Sequence, residues 1–428
     1  MDLRPLRESP AFRRLWAGSS LSAIGSQMTS FAVVVQVYTL THSSLAVGAI
    51  GLAIAVPLVG FGLVGGAVAD AVDRRTLVLL SSASQAGVSV AFAVQAFAGL
   101  RQLWLLYCLI VAQSLLSAVS GPARRTFLPR LLRADRVPAA AALTMFTFHL
   151  SVTVGPALAG VIVTAWGVRA CYLIDVVTFA AALYGVARLP AMSPEDGPVR
   201  PGVRAIGAAL RFIRGDRVIA GALLSDLSAT LLGMPMALFP AINAAHFGGG
   251  AHTLGLLTAA PAVGGIVGTV LSGPVGTVSR QGRAILVAGA VWGASLAGFG
   301  LARSLWLALV LLAVAGAVDV LSVVFRTTVV QVTTPDRYRG RVAAAELIVG
   351  MGFPQLGNFR AGVVGALTSP TISAVSGGLT AILGVVLIGL TMPAFARYQS
   401  PPGVDGPPGG RPGAGCGCSD HGQNPGCG

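Results

Sequence analysis

Four ionisable side chains stand where an apolar chain usually has none. Asp175, Asp226, Asp319 and Arg360 lie inside long apolar runs, and Glu346 lies near the start of the run that holds Arg360. A charge within hydrocarbon is costly, so such groups default to a functional reading. The chemistry open to a buried carboxyl group is proton exchange, because low dielectric narrows the gap between its charged and neutral forms. Asp226 and Asp319 fall near the middle of their runs and lead as proton-coupling candidates, with Asp175 behind them. The alternative is a buried ion pair, for example one of these acids with Arg360. Glu346 either reaches towards the membrane surface or pairs with a nearby arginine. His149 reads as a hydrogen-bonded packing residue, although imidazole also relays protons.

The elements that hold these residues are long. A helix needs roughly 20 residues to cross about 30 Å of hydrocarbon. Twelve apolar runs meet that length, at about 15–40, 45–69, 76–98, 102–121, 138–165, 168–188, 217–241, 253–277, 284–302, 304–326, 342–368 and 371–396. The chain of 428 residues is 54% hydrophobic and only 10% charged, against about 25% charged in soluble domains. So apolar a chain buries its surface in lipid. The reading is an all-α integral membrane protein. Residues 1–188 form one six-helix half and 217–398 a second, joined by a linker over 189–216, and 399–428 is a Gly/Pro/Cys-rich tail. Pro190, Pro194 and Pro198 break helices at the start of the linker. Further on, Val203, Ile206, Leu210 and Ile213 oppose Arg204, Arg211 and Arg214, which predicts a helix lying on the membrane surface.

Every one of the 29 basic residues is arginine, which with the Ala/Gly richness suits a GC-rich bacterial genome. With the N-terminus inside, 25 of the 29 fall in the N-terminal arm, alternate loops, linker and tail, and only Arg101, Arg169 and Arg303 fall outside. That asymmetry predicts cytoplasmic N- and C-termini. It also accounts for the net charge of +14 without nucleic acid as a partner. Cys108 and Cys171 read as packing residues, and Cys416, Cys418, Cys427 and His421 of the tail match no closed metal site. The first apolar run reads as a membrane span rather than a cleaved leader. The halves echo each other: Arg125-Thr126 and Asp135-Arg136 recur as Arg326-Thr327 and Asp336-Arg337, at an offset of 201. Duplicated halves of this kind enclose a substrate site near the midplane.

Within this plan, Gly65-Gly66-Ala67-Val68-Ala69-Asp70-Ala71-Val72-Asp73-Arg74-Arg75 resembles the signature loop of the major facilitator superfamily. The resemblance covers residues 1 to about 398. It implies twelve transmembrane helices in two pseudo-symmetric halves, and a gating charge network of Asp70, Asp73, Arg74 and Arg75 at the cytoplasmic face. Gly155-Pro156-Ala157-Leu158-Ala159-Gly160 resembles the antiporter motif of exporters in that superfamily, with Pro156 as the kink and Gly155 and Gly160 as close-packing positions. Thr41 to Gly48, Leu254 to Pro261 and Arg326 to Val342 are similar to the enterobactin exporter branch, which exports catecholate siderophores and, in relatives, drugs. The resemblance implies a bacterial inner-membrane protein, monomeric in lipid, without a cofactor and driven by the proton motive force. One departure is clear: the buried arginine that many proton–drug antiporters carry in span four is absent, and Gln113 lies in that stretch.

Gln27, Gln113, Phe239, Gln355, Asn358 and Arg360 are the candidates for a small-molecule cavity, with Gln36, Phe148 and Trp292 beside them. Each also suits helix-to-helix packing. A proton-coupled exporter of siderophore-like or amphipathic drug-like molecules is the leading reading. An importer or facilitator, and a non-transporting sensor with this fold, stay open. An enzyme or an ATP-driven pump is disfavoured, since there is no Gly-x-x-x-x-Gly-Lys loop and no metal-ligand or Ser/His/Asp set at one depth.

Overall fold

The computed structural model describes residues 2–190, 211–273 and 278–399; the side chains of 62–71, of 125 and of ten positions between 336 and 348 lie outside that description. The tail from Ser400 onwards lies outside it too, with its cysteines and His421. So does most of the linker. Of the surface helix expected over 203–214, only the end is described, and residues 211–215 are helical.

Among the described residues, twelve long helices, numbered here α1 to α12, carry the architecture. They are α1 Pro10–Thr41, α2 Ser44–Ala71, α3 Arg74–Phe97, α4 Leu103–Arg125, α5 Val137–Trp166, α6 Val168–Ala187, α7 Arg217–Gly233, α8 Ala251–Leu271, α9 Gln281–Leu301, α10 Leu305–Thr333, α11 Asp336–Leu367 and α12 Pro370–Thr391. Eleven of the spans are long and apolar enough to cross a membrane. The other, α11, opens with a charged sequence that includes Asp336, Arg337, Arg339, Arg341 and Glu346. The helices start and stop where local chemistry dictates. Ser9, Asp73, Asp216 and Ser369 each cap a helix by accepting from a backbone N–H of its first turn. His42 ends α1 in the left-handed region at φ 47°.

Two boundaries differ from the sequence expectation. The run expected to span 217–241 without interruption breaks after Gly233, and resumes as a short turn Met236–Leu238 and a helix Phe239–His246. Pro235 and Pro240 lack the N–H groups that a continuous helix would need there. The tenth run, expected to end at 326, continues as helix to Thr333. Arg326, counted among loop arginines by sequence, therefore lies two turns inside α10, and it is buried.

Each half packs around its own pairs, α1 on α6 and α2 on α4 in the first, α9 on α12 and α8 on α10 in the second. Two seams join the halves, α2 against α11 and α5 against α8. Both use the same device. Gly48 and Gly255 are each the fifth residue of their helix, α2 and α8, and each meets a glycine of the opposite half. A methyl group at Gly48 would lie 2.9 Å from the Asn358 carbonyl oxygen, and one at Gly255 would lie 2.8 Å from that of Pro156 and 3.0 Å from the Cα of Gly160. Backbone approach this close admits no side chain. The antiporter-type element thus sits in a seam: Gly160 faces α8, and Gly155 faces Gln27 of α1.

The seams close one end of the molecule. On α8, the face that buries Gly255 and Ala259 exposes Ile266 and Val270 farther along, and on α5 the face that buries Pro156 and Gly160 exposes Ala142 and Met145 nearer its start. Along the α5–α8 seam the halves therefore part towards the end that carries the first turns of α1 and Tyr398. Gly255→Val should prise the closed end apart and shift the population towards the opposite opening. Alkylation of a cysteine placed at Thr29 by a membrane-impermeant maleimide, applied from the closed side, is expected to speed up several-fold.

Candidate functional site

Among the described residues, two cavities hold most of the sequence-predicted groups. The first, about 370 Å³, lies between the halves and is mostly apolar. Polar groups reach it from three helices: Thr29 and Ser30 of α1, Gln113 and Ser114 of α4, and Gln355 and Asn358 of α11, with Met236 and Ala237 of the α7 break closing one wall. Asn358 Oδ1 accepts from the Ala237 backbone N–H at 3.3 Å, which ties the broken helix to α11. Gln113 Oε1 is buried with no hydrogen-bond partner among the described residues, leaving an acceptor for a ligand. Three of the predicted cavity residues, Gln113, Gln355 and Asn358, are brought together here.

The second cavity, about 320 Å³, belongs to the second half and carries the charges. Asp226 of α7 and Asp319 and Arg326 of α10 line it, with Phe239 and Trp292 as aromatic walls. Phe239 meets Phe299 edge to face, with centroids 5.3 Å apart. Arg326 forms an ion pair with Asp226, and its Nε lies 3.9 Å from Glu346 Oε1 of α11. Both partners of the Asp226–Arg326 pair are largely withdrawn from solvent, with side chains 13% and 7% exposed. Asp319 lies seven residues before Arg326, two turns along one face of α10. It is exposed to the cavity and has no hydrogen bond or ion pair with any described residue. The Arg326 guanidinium thus meets two carboxyl groups and shares the cavity lining with a third, Asp319.

Asp175 of α6 stands apart from this cluster. It is fully buried and accepts from Ser89 Oγ at 2.7 Å, Thr29 Oγ1 at 3.0 Å and Ser26 Oγ at 3.4 Å. These hydroxyls tie α1, α3 and α6 together. Thr29 also lines the first cavity, so Asp175 sits one side chain behind its wall. A second polar layer joins the same helices: Gln36 and Gln95 exchange two hydrogen bonds of 3.0 Å, and the Tyr172 hydroxyl donates to Gln36 Oε1 at 2.7 Å.

Gln27 and Arg360 line neither cavity. Gln27 packs its stem against Gly155, and the Arg360 guanidinium lies against Gly377 of α12. The acid that finds an arginine is Asp226, and its partner is Arg326 rather than Arg360. Sequence reasoning missed Arg326 as a site residue because its apolar run ends there. The signal that reveals it is compensation: acids at mid-span in adjacent helices need a cation at the same depth. At the signature loop, Asp73 caps α3, accepting from Thr76 N at 2.8 Å and Thr76 Oγ1 at 2.9 Å. Arg75 donates to the Ala187 carbonyl at 2.6 Å, at the C-terminus of α6, where a cation suits the helix dipole. The side chain of Asp70 lies outside the described residues.

Comparison with known proteins agrees with this architecture. Residues 2–402 match the model of the family described as transmembrane secretion effector. The chain is 27% identical to the enterobactin exporter EntS of Citrobacter koseri over 95% of this chain and 98% of that protein. It is 26% identical to the EntS of Shigella boydii serotype 18 over 94% and 97%. Among solved structures, it resembles the nucleoside transporter NupG with a TM-score of 0.70, at 12% identity over 91% of this chain and 99% of that one. It resembles a bacterial homologue of the iron transporter ferroportin in an inward-facing state with a TM-score of 0.66, at 16% identity over 90% and 98%. The fold is that of the major facilitator transporters, two six-helix halves about a central cavity, and the chain belongs to the transmembrane secretion effector family within them.

Proposed function

We propose that this transporter is a proton-coupled exporter of siderophore-like or amphipathic drug-like molecules, working by alternating access in the bacterial inner membrane. The observation that carries the reading is the set of Asp226, Asp319 and Arg326 lining a cavity beside the central one, with Glu346 against Arg326. One arginine balances one carboxylate in low dielectric, so the other acids are suited to carry protons. Asp319 is the exchange site, since it faces the cavity without a described partner. Asp226 and Arg326 relay its protonation to α7, whose break forms a wall of the central cavity. The enterobactin exporters among the relatives and the Gly155-Pro156 seam favour export. The arginine distribution supports cytoplasmic termini, which makes the open end of this conformation the cytoplasmic one. The energy comes from the proton motive force with no cofactor, and the working unit is a monomer.

In this conformation Asp73 and Arg75 are engaged within the first half. The gating network therefore assembles when the cytoplasmic end closes, with Asp70 at its centre. Asp70→Asn should leave the protein inserted but lower the transport rate about tenfold, measured as initial uptake into inverted membrane vesicles. The reading as a whole is tested in the same vesicles, with a catecholate siderophore and a macrolide supplied with and without a proton gradient. Gradient-dependent accumulation of either supports it, and gradient-independent equilibration of both points to a facilitator.

A further inference from the structure

A third cavity, about 260 Å³, lies between the start of α1, the end of α4 and the first half of α5, and shares no lining residue with the other two. Its walls are aromatic: Phe12, Trp16, Phe127 and Phe148. Its polar lining is Arg124, the Trp16 indole and the hydroxyls of Ser19, Ser20, Thr144 and Thr147. Arg124 lines it with no acid in ion-pair contact among the described residues, where its one hydrogen bond is from Nη2 to Ser82 Oγ at 2.6 Å. The Trp16 indole Nε1 is buried and has no hydrogen-bond partner among those residues. A guanidinium offers five donors in a planar fork and an indole offers one. The hydroxyls of Thr144 and Thr147 donate to carbonyls of their own helix, and neither accepts from Arg124 or from the indole. Among the described residues, no acidic side chain lines the space. A cavity of about 150 Å³ holds a benzene ring, so this one holds a substituted ring.

We infer that this crevice is an entry subsite for an aromatic anion, with Arg124 and the Trp16 indole N–H on the anionic group and Phe127 and Phe148 against the ring. Planar anions suit a guanidinium fork, and rings suit an aromatic wall. The site deepens the export reading and rests on it for its place in the cycle. It sits on α1 before Thr29, where the first cavity begins, on the side where the halves part. Cargo from that side meets it before reaching the central cavity.

The test is equilibrium binding to the full-length protein in phosphatidylcholine nanodiscs, by calorimetry, with salicylate as the aromatic anion and benzamide as its neutral counterpart. Salicylate should bind saturably and benzamide at least tenfold more weakly. Arg124→Gln should weaken salicylate at least tenfold, and Phe148→Ala, at an exposed position, several-fold. Absence of salicylate binding, equal affinity for benzamide, or indifference to both crevice substitutions would overturn the proposal. So would loss of binding in discs containing phosphatidylglycerol, which would assign the site to a lipid headgroup. Binding without gradient-driven uptake in vesicles would remove the export reading and leave the site. Uptake whose KM is unmoved by both substitutions would do the reverse.

Discussion

Asp319→Asn should abolish gradient-driven transport, lowering accumulation at least tenfold to the level of vesicles without the protein, while exchange of substrate across the membrane at zero gradient persists. Asparagine keeps the shape of the side chain and removes the proton site. Because Asp319 faces the second cavity without a described partner, the change leaves no buried charge uncompensated, and folding should be unaffected. The measurement is paired: uptake with a pH gradient, and counterflow without one. A normal response to the gradient in this variant would move the coupling role to another carboxyl group. Asp175, held by three hydroxyls behind the wall of the first cavity, would be next to test.

Arg326→Gln should have the opposite profile, a folding defect first and a transport defect second. The substitution leaves Asp226 and Glu346 without their shared cation, in a site largely closed to solvent. Removing one partner of a buried pair costs about 3–5 kcal/mol. The expected result is a fall in apparent melting temperature in detergent and a large loss of monodisperse protein. The double variant Asp226→Asn with Arg326→Gln should recover the part of the loss that comes from Asp226 but not the transport, because neutral partners restore packing and not charge relay. Recovery of both would mean that the pair holds α7 to α10 and does nothing more.

Much of this architecture is legible in the chain. Long apolar runs give the number of helices, and the echo of Arg125-Thr126 in Arg326-Thr327 points to two related halves. The mid-span acids are visible because a charge in hydrocarbon needs a reason. Their partners are not. Hydropathy tells where a run of apolar residues ends, not where a helix ends, so the continuation of α10 through Thr327 and Thr328 hides Arg326. It also gives no rotation about a helix axis. Gln113 and Gln355 face the first cavity whereas Gln27 packs against Gly155, although all three are glutamines within spans. The seams are half visible: Gly160 belongs to a motif, but its partner Gly255 is one glycine among 56.

The central claim is that protons and substrate move in opposite directions through one protein. Proteoliposomes containing a trapped pH dye and no imposed gradient test it directly. A catecholate siderophore added outside, running down its own concentration gradient, should drive protons out of the lumen at a rate that saturates with substrate and vanishes in Asp319→Asn. Substrate entry with no change in luminal pH would contradict the account.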